Sequence, residues 1–173
     1  MTIELVLGGA RSGKTSFAQT RATTLGNEVT YIATAQPQDP EMQERIRLHQ
    51  QSRPPHWRLI EEPIHLAQII ATHAAPGRTL LVDCLTLWLT NLLTHPEDPR
   101  ILEREKTALL TCLPESRATI ILVNNETGLG VVPMGSLTRR FVDENGWLNQ
   151  ALAPICHRVT MMVAGLPVEL KKD

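Results

Sequence analysis

Eight consecutive residues carry the plainest chemical signal in the chain. Gly8-Gly9-Ala10-Arg11-Ser12-Gly13-Lys14-Thr15 fits the pattern G-x-x-x-x-G-K-[ST] in full. The glycines let successive backbone N–H groups turn inward around phosphate oxygens, and Lys14 adds a point charge. The Thr15 hydroxyl is placed to coordinate Mg2+, and the following helix aims its positive end at the anion. An apolar strand stops at Leu7 and a helical pattern starts at Lys14, a context that a chance glycine turn lacks. A second acidic position belongs at the end of another buried strand, to hold the metal directly or through water. Leu80-Leu81-Val82-Asp83 supplies it. Asp83 also suits the N-cap of a helix beginning near Leu85, and the two roles are compatible.

A second constellation lies between Arg45 and Arg58. It holds four arginines (Arg45, Arg47, Arg53, Arg58), two histidines (His49, His56) and no acid. At 100° per residue, Met42, Ile46, His49 and Arg53 share one helical stripe, with Arg45 beside it. A stripe mixing apolar residues with His and Arg suits a helix that faces a polar cavity. His49 has two readings at this point. It is either a histidine at the helix surface or core edge, or a nucleophile whose neutral imidazole attacks phosphorus to give a phosphoramidate. Neighbouring arginines would depress its pKa and stabilise charge on the transferred phosphate. His56 follows Pro54-Pro55, which end the helix, and reads as structural. No pair of histidines has the spacing of a zinc site.

Alternating strands and helices must position these groups. Strands are expected at Ile3–Leu7, Glu28–Ala33, Trp57–Ile60, Thr79–Val82, Ala118–Val123, Arg158–Val163 and Val168–Leu170. Helices are expected at Lys14–Leu25, Pro40–Ser52, Ile64–Ala75, Leu85–Leu93, Ile101–Leu113 and Ser136–Ala153. Gly26-Asn27 opens the second strand as a turn, Asp39 is a plausible N-cap, and His95–Pro99 is a loop. The rhythm predicts an α/β fold: one P-loop NTPase-type domain over residues 1–173, with a mostly parallel sheet flanked by helices on both faces. No repeat, low-complexity tract or linker interrupts it.

Composition removes several function classes. Seventeen Lys and Arg against eighteen Asp and Glu leave a formal charge of −1, so the global basic field of a nucleic-acid wrapper is absent. Three tryptophans, one tyrosine and two phenylalanines are too few for a row of base-stacking platforms. No uncharged run approaches the roughly 20 apolar residues of a membrane span. The phosphate loop begins where a signal peptide's apolar region would still be running, so no leader is expected. Cys84, Cys112 and Cys156 are odd in number, widely spaced and in apolar surroundings. They read as buried thiols in a reducing cytoplasm.

These residues also carry a family likeness. Besides the phosphate loop there are Y-I-A-T-A at Tyr31–Ala35 and R-I-R-L-H-Q-Q-S-R-P-P-H-W at Arg45–Trp57. N-E-T-G-L-G-V-V-P follows at Asn125–Pro133, and R-R-F-V-D-E-N-G-W-L-N-Q-A-L-A at Arg139–Ala153. Over nearly its whole length the chain resembles the bifunctional adenosylcobinamide kinase/adenosylcobinamide-phosphate guanylyltransferase family of cobalamin biosynthesis. The resemblance implies two reactions. A nucleoside triphosphate, ATP or GTP, phosphorylates adenosylcobinamide, and GTP then donates GMP to that phosphate through a guanylylated histidine, which falls on His49. It implies nucleotide contacts at Gly8, Gly9, Ala10, Arg11, Ser12, Gly13, Lys14 and Thr15, at Ala33, Thr34 and Ala35, at Gln50, Gln51, Ser52 and Arg53, and at Glu61 and Asp83. It also implies a homotrimer. Gln50 stands where members often carry a basic residue, and Thr15 where many carry serine. The residues leave two other readings open: a small-molecule kinase without a covalent intermediate, and a non-catalytic GTP-binding protein.

Overall fold

The computed structural model describes residues 2–25, 28–36, 40–51, 53–95 and 97–172; at positions 41, 42, 45, 48, 49 and 51 the description stops at the backbone. The expected turn at Gly26-Asn27 and N-cap at Asp39 lie outside the described residues.

Among the described residues, seven strands and six helices follow in the order β1 (Ile3–Gly8), α1 (Lys14–Thr24), β2 (Glu28–Ala33), α2 (Pro40–Gln51), β3 (Arg58–Glu61), α3 (Leu66–His73), β4 (Arg78–Asp83), α4 (Leu85–Leu93), α5 (Ile101–Glu115), β5 (Thr119–Val123), α6 (Ser136–Ile155), β6 (Arg158–Val163) and β7 (Leu166–Lys172). The strands form one sheet in the order β3-β2-β4-β5-β1-β6-β7. Every pairing is parallel except the terminal β6–β7 hairpin. The expected α/β architecture is therefore the one found.

Continuous apolar runs in the central strands follow from burial on both faces. Side chains alternate across the sheet, so Ile3, Leu5, Leu7, Leu80, Val82, Ile120 and Leu122 join a larger core with helical residues such as Leu66, Leu85, Leu89, Leu109 and Leu148. Val6, Tyr31, Leu81, Ile121 and Val123 face the other way, onto Ala18 and Ala22 of α1 and onto Trp57. Alanines at 18 and 22 let α1 approach the sheet closely. In α4, Leu85, Trp88, Leu89 and Leu92 recur at core-facing spacing. The Trp88 indole N–H donates to the Ile64 carbonyl at 2.7 Å, so burial of the ring leaves no orphan donor.

Four elements, α3, α5, α6 and β7, end or begin away from expectation for local reasons. Helix α3 begins at Leu66 rather than Ile64, because the Glu62 carboxylate accepts from the backbone N–H of Ile64 (2.9 Å) and His65 (2.8 Å) and holds a turn there. Helices α5 and α6 each carry their proline, Pro114 and Pro154, in the last turn, where a missing N–H costs one hydrogen bond at an already fraying end. Strand β7 is longer than Val168–Leu170. It pairs only with β6, and Pro167 is tolerated because this is an edge strand. The turn between them places Ala164 (φ 52) and Gly165 (φ 80) both at positive φ, as a two-residue hairpin requires. All three cysteines are free; Cys156 is buried, whereas Cys84 and Cys112 are only half-buried. Burial pushes the Cys84 and Cys112 thiols up to about 11 and that of Cys156 to about 12.

Candidate functional site

Strand order gathers the chemistry at one edge. The carboxyl ends of β1, β5, β4, β2 and β3 lie side by side, and ligands of open parallel sheets bind outside such ends. A cavity of about 610 Å3 opens there, within the usual range for small-molecule sites. Its walls come from the loop between β1 and α1 (Ala10–Thr15), from Ala33, Ala35, Glu61 and Asp83 at strand ends, and from Ile46, Gln50 and Arg53 in and after α2.

The loop has the backbone of an anion cradle. Arg11 (φ 56) and Gly13 (φ 95) adopt left-handed conformations, which turn adjacent N–H groups to a common side. Gly8 is fixed by packing: a Cβ there would stand 2.5 Å from Ser12 Oγ and 2.6 Å from the Met162 carbonyl. Lys14 Nζ donates to the Gly9 carbonyl at 2.6 Å, spanning the loop mouth. Burial holds the Lys14 ammonium below the ordinary lysine range, while Cys84 and Asp83 act in the opposite direction. Ser12 Oγ is buried without a partner among the described residues.

Asp83 is the hub of the polar wall. Its Oδ2 accepts from the Thr15 hydroxyl at 3.0 Å and from the Tyr31 phenol at 2.7 Å. Tyr31 is 3% exposed, and burial, followed by the charge of Asp83, pushes its pKa far above the ordinary phenol value. It therefore stays a proton donor. The Arg53 guanidinium sits over the Tyr31 ring, 4.5 Å from its centroid, a cation–π contact.

The placement of the expected site residues is uneven. Ala10 to Thr15, Ala33, Ala35, Gln50, Arg53, Glu61 and Asp83 line one cavity. Thr34 does not: it is fully buried, its hydroxyl donating to the Cys84 carbonyl (2.7 Å) and accepting from the Cys84 N–H (3.0 Å). Any nucleotide contact expected of the Thr34 side chain is thus already spent on joining the ends of β2 and β4. Gly8 packs against Ser12 and Met162, and Gly9 offers its carbonyl to Lys14. Ser52 lies outside the described residues, as do the side chains of His49, Gln51, Arg45 and Met42.

Sequence reasoning missed Tyr31 as a partner of Asp83, and it missed an asparagine network. Asn124, fully buried at the end of β5, donates to Asn145 Oδ1 (2.9 Å) and Asn149 Oδ1 (2.7 Å) and accepts from Thr86 (2.8 Å). Asn145 in turn donates to the Asn125 carbonyl at 2.8 Å, which fixes Asn125 at the cavity wall. Only the repeated Asn in an apolar frame hinted at it.

Among the described residues, no group of three His, Cys, Asp or Glu stands together as a metal site, and no helix is long and apolar enough to cross a membrane. The hydroxyl and carboxylate at Thr15 and Asp83 are hard oxygen donors, which suit Mg2+ shared with phosphates rather than held by the protein alone.

A model of the family described as cobinamide kinase / cobinamide phosphate guanyltransferase matches residues 4–170. The chain is similar to the bifunctional adenosylcobalamin biosynthesis protein CobP of Pseudomonas aeruginosa, 59% identical over 170 residues that cover 98% of each. It is also similar to the bifunctional adenosylcobalamin biosynthesis protein CobU of Escherichia coli, 37% identical over 96% of this chain and 98% of that one. Among solved structures it resembles the ATPase domain of G40P (TM-score 0.52, 13% identity, 92% of this chain and 68% of that one). The flagellar accessory protein FlaH from Methanocaldococcus jannaschii is similar to the same degree (TM-score 0.51, 13% identity, 99% and 79%). Identities that low show a shared P-loop NTPase fold and nothing more.

Proposed function

The chain belongs to the cobinamide kinase / cobinamide phosphate guanyltransferase family, and we propose that it performs both reactions from the one cavity at the carboxyl edge of its sheet, within a single domain spanning residues 1–173. It is a cobinamide kinase and cobinamide-phosphate guanylyltransferase that binds nucleotides at its phosphate loop. In the first reaction, the terminal phosphoryl group of a nucleoside triphosphate passes to the aminopropanol hydroxyl of adenosylcobinamide. In the second, GMP from GTP is joined to that phosphate, giving adenosylcobinamide-GDP and pyrophosphate.

The observation that carries the one-cavity reading is that the phosphate loop and α2 line the same space. Ile46 and Gln50 face it, and helical spacing puts position 49 on their stripe. His49 is accordingly the nucleophile of the reading. An imidazole nitrogen attacks the α-phosphorus of GTP, and the bond to pyrophosphate breaks. A phosphate oxygen of adenosylcobinamide phosphate then attacks the same phosphorus, breaking the P–N bond and freeing the histidine. Lys14, the loop N–H groups and Arg53 stabilise charge on the phosphates. The kinase step needs no strong base, since phosphoryl transfer runs largely on positioning and charge stabilisation.

Mg2+ would neutralise phosphate charge in both steps. Thr15 and Asp83 fit it: the Thr15 proton is committed to Asp83, so the lone pairs of Thr15 Oγ1 are left for the metal, and Asp83 Oδ1 is left for a metal-bound water. The Glu61 carboxylate faces the same cavity, and a carboxylate accepts from guanine's ring N–H and amino group. Assembly as a homotrimer is supported by exposed apolar side chains a monomer would leave in water, Val131 (96% exposed) and Met134 (94%) among them.

Incubation of the purified protein with adenosylcobinamide and ATP or GTP should give adenosylcobinamide phosphate. With GTP present it should go on to adenosylcobinamide-GDP and one pyrophosphate for each. Nucleotide bound but returned intact, with neither product, would overturn the reading. On the same preparation, sedimentation equilibrium reporting a monomer at assay concentration would remove the trimer.

A further inference from the structure

Asp83 receives two hydrogen bonds on one of its two oxygens. The first donor, Thr15, is the expected neighbour of a metal-supporting aspartate. The second, Tyr31, has no counterpart in the nucleotide-site motif, and it comes from a different strand. The sheet explains how it reaches. In the β2–β4 register Tyr31 stands opposite Leu81 and Ala33 opposite Asp83. Residues two apart on a strand share a face, so Asp83 is the diagonal cross-strand neighbour of Tyr31, within reach of an aromatic side chain. The ring packs in the smaller core with Leu81 and Val29, and Arg53 covers it at 4.5 Å. A ring held on two sides has one place to put its hydroxyl, and that place is Asp83 Oδ2 at 2.7 Å.

We infer that Tyr31 is a positioning residue for the metal: by occupying Asp83 Oδ2 together with Thr15, its phenol locks the carboxylate so that Oδ1 is left to the cavity, where it would support Mg2+. This rests on the reading of Asp83 as metal support and adds a residue that reading does not contain. Without the phenol, Thr15 remains as the single side-chain tether among the described residues and the carboxylate can rotate about its last side-chain bond. Outer-shell hydrogen bonds of this kind orient metal-binding groups, and their loss costs metal affinity. Arg53 gives the arrangement a second end. It lines the cavity beside Gln50, so the segment that follows α2 rests on the same ring that orients Asp83.

The test uses Tyr31→Phe, which keeps the ring, its packing and the Arg53 contact and removes one hydroxyl. Binding of the α,β-methylene analogue of GTP, which resists cleavage at the α-phosphorus, is measured by calorimetry across a MgCl2 titration. The Mg2+ concentration for half-maximal enhancement should rise about tenfold, while binding without metal is unchanged. Kinase turnover should fall without a rise in KM for adenosylcobinamide, and excess Mg2+ should restore part of it. A wild-type Mg2+ response in Tyr31→Phe, alongside a shifted response in Asp83→Asn, would overturn the inference and leave the role of Asp83 standing. A wild-type response in both variants would remove Asp83 as metal support and the inference with it. A lowered melting temperature with an unshifted Mg2+ response would make Tyr31 a packing residue only, and the inference would again fall.

Discussion

At the end of β3, Glu61 presents a carboxylate to the cavity whose opposite wall is the phosphate loop, and the β2–β3 register sets it beside Ala33. Guanine offers two donors on the edge such a carboxylate would meet, whereas adenine offers a lone pair at the ring position and repels it. Glu61→Gln should weaken GTP binding about 10- to 100-fold, as loss of a charged hydrogen-bonding partner does, and leave ATP binding within a factor of about two. Calorimetry with both nucleotides checks it, and equal losses for the two would mean Glu61 does not read the base. Residues differ in how much of their role the sequence discloses. Gly8 to Thr15 are contiguous, so their spacing is their geometry. Asp83 ends an apolar run, a position with meaning of its own. Tyr31 reaches Asp83 across 52 positions, and nothing in the local pattern says that β2 and β4 are neighbours. Thr34 shows a further role: its place in Y-I-A-T-A says nothing of the buried bonds to Cys84 that make it a joint between strands.

Elements hold the phosphate loop from both sides. On one side the β6–β7 turn supports it, with the Gly165 N–H donating to the Ser12 carbonyl at 3.1 Å and the Gly165 Cα 3.4 Å from where a Cβ of Gly13 would stand. On the other, α1 is tied to β1 by a forked ion pair, the Arg21 guanidinium to Glu4 at 2.8 and 2.9 Å, with Glu4 1% exposed. Breaking such a pair from the arginine side strands a buried carboxylate, which costs about 3 kcal/mol or more. Arg21→Ala should therefore lower the urea midpoint by that equivalent and loosen the seat of the phosphate loop. An unchanged midpoint would mean the pair is screened by water and structurally idle. Helices and central strands were readable because their periods are distinct and their ends carry Gly, Pro or Asp. The edge strand β7 was only partly readable: Glu169 and Lys172 are exposed, Lys171 donates to the Pro154 and Cys156 carbonyls, and Pro167 interrupts the propensity, so its pairing is set by the hairpin turn at Ala164-Gly165. The start of α3 was hidden because Glu62 acts through its side chain, two and three residues ahead.

At the scale of the molecule, the sheet order β3-β2-β4-β5-β1-β6-β7 brings Glu61, Ala33, Asp83, Asn125 and the phosphate loop to one edge. Balanced net charge conceals an acid-free, arginine-rich stretch from Arg45 to Arg58, and three of its described members, Ile46, Gln50 and Arg53, face that same cavity. Among the described arginines of that stretch Arg53 lines the cavity, whereas Arg47 is exposed and paired with Glu44, so the segment's charge was legible from composition and its direction was not. Strand order was not legible, because alternating elements say that a parallel sheet exists without saying which strands touch. The proposed guanylyl transfer turns on one covalent step, at His49. Protein incubated with Mg2+ and GTP labelled at the α-phosphate should retain acid-labile, base-stable label, release it into adenosylcobinamide-GDP when adenosylcobinamide phosphate is added, and retain none as His49→Ala. Label that persists in His49→Ala, or wild-type protein that makes the product without ever carrying label, would contradict it.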